Sequence, residues 1–357
     1  MNKILVSNNE CYMINSNSLM QYITIKLNFG SICDEFGGEA HLLEHIVVTC
    51  LYSIIEKNEI VCRLDAFTNY HSTCFTFSFL KSEHQKIKRF LIPSIFSLTK
   101  KQIEKHFYSE INVVKQEYEY YKKQNFDKLL ERSIKHFFKE IKHDELGTAN
   151  SLLKLNPEFL YALYVNYYKP DNSNVFYYGT FDSGNAKRID KNSNFRESLS
   201  KINFKEVFKI KDNFVCDCFS SKNNISIMSC FLIKNIQEYS SFIKLVVDYY
   251  FSSTDSVLFA NFREKGLVYN FGGGYVHVVK NKALIVVYVE TSKKNKELVV
   301  NMINEYIANL NLTSDLILKD LKKIVFNSTY LMNDFQITQT MAKDMDLLVC
   351  LNNFLSD

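Results

Sequence analysis

Proline is scarce, with three in 357 residues, and no uninterrupted apolar run is longer than Ala283–Val289. A membrane-spanning helix needs about 20 apolar residues, so a run of that length excludes one. The first ten residues, MNKILVSNNE, hold a lysine but no apolar core of the kind a secretory leader carries. An excess of charge of one sign is also missing: 43 basic and 39 acidic residues are interleaved and leave a net charge of +4. No basic stripe forms that would suit nucleic acid. The nine cysteines, at 11, 33, 50, 62, 74, 216, 218, 230 and 350, are scattered and odd in number, unlike a disulfide framework. These absences predict a soluble, cytoplasmic chain with neither membrane nor nucleic acid as a partner.

What remains is ordinary globular material, 46% apolar and 23% charged, long enough for two domains with a core each. Strand-like stretches are expected at 3–6, 10–15 and 20–29, a helix from Ala40, and a β segment over 65–80. Helices follow at 84–98, as one long charged element over 101–142, and at 156–167, where Pro170 and its neighbours stop the chain before the strand VFYYGTF. Apolar periodicity then lapses, and residues 186–212 read as a linker between a first domain over 1–185 and a second over 213–357. The second half repeats the order, with strands at 213–218 and 225–233, a helix at 239–251, strands at 268–279 and 283–290, and helices at 293–310 and 314–350. Two α+β halves in similar order suggest an internal duplication, although no repeat shows residue by residue.

His41-Leu42-Leu43-Glu44-His45 is the informative feature. On a helix, positions i, i+3 and i+4 share a face, so both imidazoles and the carboxylate project together. Two neutral imidazoles can bind a metal while Glu44 stays free to handle a proton. A catalytic zinc needs a third protein ligand and an open position. Glu110 and Glu117, two helical turns apart, both suit that region: one can ligate while the other orients a histidine or the water. The bland alternative is a solvated helix surface, which would not bring a paired-carboxylate helix with it. Other motifs read as structural. Cys216-x-Cys218 is a pair of small strand residues, and Gly272-Gly273-Gly274 lacks the Lys-Ser/Thr of a phosphate loop and reads as a strand bend. His71 is a polar surface residue in the bland reading and a substrate contact in the sharper one. Tyr118, Tyr120 and Tyr121 are core or cavity wall.

The His-x-x-Glu-His order is the inverzincin signature, and with it the chain resembles the pitrilysin family, in particular its short members that work as two chains. Gly30-Ser31-x-x-Asp34-Glu35 resembles the approach to that family's zinc helix, and Asp65-Ala66-Phe67-Thr68 its cleft-border strand. Tyr168-x-Pro170-Asp171-Asn172 to Gly179 resembles the close of its first domain, and Phe262-Arg263-Glu264-Lys265-Gly266-Leu267-Val268-Tyr269 its second-half motif. Three departures stand out. The interval from His45 to Glu117 is a few residues short, Arg263 and Tyr269 are one residue closer than usual, and Asp65 replaces an asparagine, a change expected either to alter substrate contacts or to add a negative charge near the metal. The second copy of the Tyr-x-Pro-Asp-Asn segment is missing, so the second domain is expected to be incomplete or to have an open sheet edge.

The resemblance implies a fold of two similar α+β domains, each a largely antiparallel sheet with helices packed on one face. It implies Zn2+ held by His41, His45 and Glu117, with Glu44 activating the zinc-bound water and Glu110 supporting the site. Asp65, Ala66, Phe67 and Thr68 would pair with an extended peptide, and Arg263 and Tyr269 would hold the substrate or the developing oxyanion. The implied activity is a zinc endopeptidase acting inside a chamber closed by a homodimer or by a heterodimer with a related subunit. The alternatives are a maturation protease dedicated to one peptide, such as a leader, and a non-catalytic subunit of a peptidase complex.

Overall fold

The computed structural model describes residues 11–15, 19–179 and 187–188, and 202–324 except 211, 235, 237–239, 253–255, 280, 311, 314, 318 and 321–322. The strand expected at 3–6, and the part beyond 324 of the helix expected over 314–350, lie outside these residues. The chain forms two compact units. The first runs to Tyr120 and resumes at Lys142, whereas the second takes Tyr121–Ile141 and the described residues beyond 200. No helix among the described residues is long and apolar enough to cross a membrane.

In the first unit, β1 (Cys11–Asn15), β2 (Met20–Leu27), β3 (Cys62–Thr68), β4 (Thr73–Leu80), β5 (Ser173–Gly179) and β6 (Lys187–Arg188) form one sheet. Their order is β3-β4-β2-β5-β1-β6. β2 runs antiparallel to β4 and β5, and β1 runs parallel to β5 and β6. Side chains alternate between the faces of a strand, so the register sorts them. Ile23, Ile25 and Leu27 lie opposite Phe77, Phe75 and Thr73, and those three lie opposite Leu64, Ala66 and Thr68. The apolar members of this face share a core with Leu42, Leu43, Ile46 and Val47 of helix α1 (Glu39–Lys57). Each fully buried Leu, Ile or Phe contributes about 1.5–3 kcal/mol of transfer free energy, which holds α1 flat against the sheet. The opposite face includes the buried Thr24–Thr76 hydroxyl pair, 2.9 Å apart.

The long helix expected over 101–142 is two helices, α2 (Lys100–Tyr121) and α3 (Asn125–Phe137), parted by a turn in which Gln124 is extended. The buried stripe of α2, Ile103, Phe107, Ile111, Val114 and Tyr118, would continue at Lys122 and Asn125 and then at Leu129. The phase therefore persists through the break, and only the polar residues at those two positions betray it. Asn125 donates to the Ser226 hydroxyl at 3.0 Å, fastening α3 within the second unit. The segment 186–212 is likewise not wholly unstructured. It contains β6, which extends the first sheet beside β1, and a helical turn over Phe204–Val207 with Ile202, Phe204 and Val207 buried. Those three closely spaced apolar residues were the overlooked signal. The β segment over 65–80 is a hairpin of β3 and β4 that begins at Cys62. Helix α4 (Pro157–Tyr167) ends before the 3-10 turn at Pro170–Asn172.

The second unit holds an antiparallel sheet of β7 (Asn213–Phe219), β8 (Asn224–Lys234), β9 (Val268–Val279) and β10 (Lys282–Ser292), in the order β7-β8-β10-β9. Its helices include α3, α5 (Ser240–Val247), α6 (Val257–Glu264) and α7 (Lys296–Asn309). Gly272–Gly274 are part of β9. Gly273 has φ +144, and a Cβ there would sit 2.0 Å from the Val286 carbonyl oxygen, so the glycine permits a close approach of β9 to β10. The α+β class with two sheets and packed helices is what the sequence led us to expect.

Candidate metal centre

The start of α1 is fixed by two carboxylates. Asp34 accepts hydrogen bonds from the Gly38 and Ala40 amides at 2.7 and 3.0 Å. Glu39 accepts from the amides of Glu35, Phe36 and Gly37 at 3.0, 2.6 and 2.7 Å. They satisfy backbone donors that a buried helix terminus and its approach loop would otherwise leave unpaired. Burial first, and then the Glu39 charge, push the Asp34 carboxyl up to about 8. Gly38, the residue before the helix, has φ +96, and a Cβ on it would lie 2.8 Å from the Leu146 carbonyl oxygen. Glycine is therefore required where the chain turns into α1.

One turn later, α1 presents His41, Glu44 and His45 on one face. The Nε2 atoms of His41 and His45 are 3.2 Å apart. Glu117 Oε2, from α2, lies 3.7 Å from His41 Nε2 and 3.3 Å from His45 Nε2. Among the described residues this is the group of His, Cys, Asp or Glu side chains able to hold a metal ion. Two ligands each about 2.0–2.1 Å from a tetrahedral zinc stand about 3.3–3.4 Å apart. The three edges therefore suit a zinc-sized ion, and the two-nitrogen, one-carboxylate donor set is one that zinc accepts.

The electrostatics agree. Burial, followed by the neighbouring His45, lowers His41 to about 4, so its imidazole is neutral and has a lone pair to offer. For His45, burial works against a charge, but the Glu117 hydrogen bond and the fields of Glu44, Glu117 and Glu110 outweigh it, and the net shift is upward. The His45 hydrogen bond is the largest influence on Glu117; burial opposes it, and with the fields of His41 and His45 the net effect holds the carboxyl below its usual value. Glu110, two turns before Glu117 on α2, places Oε2 3.6 Å from His45 Nδ1 and accepts from the Thr49 hydroxyl at 3.0 Å. His41 Nδ1, by contrast, is buried with no hydrogen-bond partner among the described residues. Glu44 is buried and raised to about 7, chiefly by desolvation and partly offset by a 2.6 Å hydrogen bond from the Thr68 hydroxyl.

The structure thus brings together His41, Glu44, His45, Glu110 and Glu117 with Thr68 of the edge strand β3. Ala66 shares the Thr68 face, whereas Asp65 points to the other face, where Arg63 grips it with contacts of 2.6 and 3.0 Å. The negative charge expected near the metal is therefore turned away from α1 and neutralised. Phe67 alternates with Thr68 and is partly exposed. Arg263, at the end of α6, and Tyr269, at the start of β9, are exposed residues of the second unit. The motif did not reveal Thr49, four residues after His45, or Thr73, opposite Thr68. Helical spacing from His45 was the available signal for the first; the second needed the hairpin register. Cys216 lies buried on β7, and neither it nor Cys218 belongs to a metal-binding group among the described residues.

Comparisons with known proteins bear on the fold. Residues 154–324 match the family model described as "Peptidase M16 inactive domain". A sequence search of curated proteins finds no match. The chain is similar in structure to the peptidase M16 inactive domain from Pseudomonas fluorescens, with TM-score 0.69, 14% identity, and 97% of this chain and 86% of that chain covered. It is similar to a protease from Helicobacter pylori, with TM-score 0.61, 12% identity and coverage of 95% and 92%. It is also similar to pitrilysin, with TM-score 0.64 and 14% identity, over 96% of this chain but only 40% of that one. The chain has the fold of M16-like peptidases.

Proposed function

We propose that the chain is a zinc-dependent endopeptidase of the pitrilysin type, acting on peptides held in extended form. The observation that carries this reading is the His41–His45–Glu117 cradle with the buried Glu44 carboxylate beside it. The word "inactive" in the matched family description belongs to residues 154–324, and every residue of the cradle lies outside that span. A zinc ion held by His41, His45 and Glu117 would supply Lewis acidity, drawing charge from the scissile carbonyl and making water easier to deprotonate. Glu44 then takes a proton from water as its oxygen bonds to the carbonyl carbon. It returns that proton to the departing amine as the C–N bond breaks. Glu110 steadies His45 from behind, in the manner of carboxylates that back metal-bound imidazoles.

Strand β3 is the outer strand of its sheet, so an extended peptide can add beside Ala66–Thr68 through main-chain hydrogen bonds, which require little of its side chains. Arg263 and Tyr269 are assigned to substrate and oxyanion binding by their motif. By the resemblance of their motif to that of two-chain family members, we assign Arg263 and Tyr269 to the zinc site of a partner chain in a dimer. The test is cleavage of a mixed-peptide pool by the purified protein with and without a chelator, beside Glu44→Gln. Hydrolysis that the chelator abolishes, that zinc restores and that Glu44→Gln lacks supports the reading. A zinc-loaded wild type that cleaves nothing, or a fully active Glu44→Gln, would overturn it.

A further inference from the structure

Thr68 entered as one of four residues bordering the cleft, a position that suggests contact with substrate. Its hydroxyl is engaged elsewhere. β3 and β4 pair so that Thr68 lies opposite Thr73 on the face that packs against α1. From there Thr68 Oγ1 donates to Glu44 Oε2 at 2.6 Å, a charge-assisted hydrogen bond of the short, strong kind. Thr73 is buried and donates to the Phe29 carbonyl at 2.9 Å, and its oxygen lies 3.2 Å from that of Thr68. Each hydroxyl has a single proton, and the shortest contacts show where each goes: Thr68 to the carboxylate and Thr73 to the backbone. The buried phenol of Tyr168 lies beside Thr73, closing the array from behind. Oε1 of Glu44 makes no hydrogen bond among the described residues.

We propose that Thr68, placed on the α1 face by the β3–β4 register, is the positioning residue of Glu44, holding Oε2 so that Oε1 faces the attacking water. The proposal rests on the reading of Glu44 as the base. A carboxylate on a helix is attached through rotatable bonds, and a base that must meet a proton at hydrogen-bond distance loses rate when it swings. One fixed oxygen removes that freedom while leaving the other free to act. The same contact separates two roles for Thr68. A substrate contact shows in KM, whereas a group that orients the base shows in kcat.

The experiment compares Thr68→Val, which keeps the shape and removes the donor, with Thr68→Ser, which keeps the donor and removes the methyl. Thr68→Ala carries the same test should the valine variant not fold. The probe is a fluorogenic peptide chosen from those the wild type cleaves, with zinc content measured on every sample. Thr68→Val is expected to lower kcat about ten- to a hundredfold, the range usual for outer partners of a reacting group. KM should stay within about twofold, zinc should remain at the wild-type level, and Thr68→Ser should restore most of the rate. An unchanged kcat with a raised KM would overturn the proposal, as would a serine variant no better than valine or a loss of zinc that accounts for the loss of rate. A wild type that binds zinc and cleaves nothing would overturn both the peptidase reading and this inference. An active wild type with an equally active Thr68→Val would overturn the inference alone.

Discussion

The two units are wired alike and equipped differently. In the first, strand β2, helix α1 and the hairpin β3–β4 give the order β3-β4-β2; in the second, β8, α6 and the hairpin β9–β10 give β9-β10-β8. In each, the helix comes just before the hairpin, and the hairpin's second strand docks against the earlier strand. The likeness ends at the side chains. α1 begins Glu39-Ala40-His41-Leu42-Leu43-Glu44-His45, while α6 reads Val-Leu-Phe-Ala-Asn-Phe-Arg-Glu and has no imidazole. α2 supplies Glu110 and Glu117 to the first unit's site; α7, which follows the second hairpin, carries Glu297 and Glu305, and α6 before that hairpin has no histidine. The sheets differ as well. β5 threads between β1 and β2, whereas β7 pairs directly with β8 among the described residues. The same framework thus carries a His-His-Glu group able to hold a metal in one unit and exposed Arg263 and Tyr269 in the other, so the proposed function follows from the residues placed on the frame.

The largest effect is expected where the units differ most. Glu44→Gln should lower kcat at least about a hundredfold, as loss of a general base does, with folding intact by circular dichroism; an active variant would erase the distinction between α1 and α6. Next comes the carboxylate pair. Glu117→Gln should deplete the metal and the activity together. Glu110→Gln should keep most of the zinc and lose about tenfold in rate, as a backing carboxylate does. If metal analysis of the two variants gave the reverse order, Glu110 would be the ligand.

Cooperation between chains sharpens the comparison further. Glu44→Gln and Arg263→Ala chains, differently tagged and co-expressed, should regain activity in the purified mixed dimer if Arg263 serves the neighbour's zinc. A mixed dimer as inactive as its parents would place both halves of the site in one chain. The smallest effects concern two glycines at positive φ, Gly38 before α1 and Gly266 between α6 and β9. Gly38→Ala must place a Cβ 2.8 Å from the Leu146 oxygen at φ +96, at a cost of about 1–3 kcal/mol. Gly266→Ala, at φ +58 in open space, should cost about 1 kcal/mol. A thermal melt that ranked Gly266→Ala as the more damaging would contradict the tight turn into α1.

Much of this was legible in the residues themselves. The spacing of His41, Glu44 and His45 required a single helix face, and the interval between Glu110 and Glu117 required another; both are local facts of helical geometry. The break between α2 and α3 was hidden because Tyr118 and Leu129 are in phase across it, and periodicity cannot see a turn that preserves phase. The direction of Asp65 was hidden for a related reason. A strand's two faces are told apart only by register, and the register comes from the β3–β4 pairing rather than from the tetrapeptide. Thr73 is opposite Thr68 for the same reason, so the hydroxyl array behind Glu44 could not be read before the hairpin was known.

The central claim is that the first unit holds one zinc through His41, His45 and Glu117, and that Glu44 stands beside the metal without binding it. Metal analysis by mass spectrometry of the wild type, Glu44→Gln and His45→Ala tests this most directly. One zinc per chain in the first two and depletion in the third is the predicted result. An empty Glu44→Gln, or a His45→Ala chain that keeps its full complement, would contradict the account.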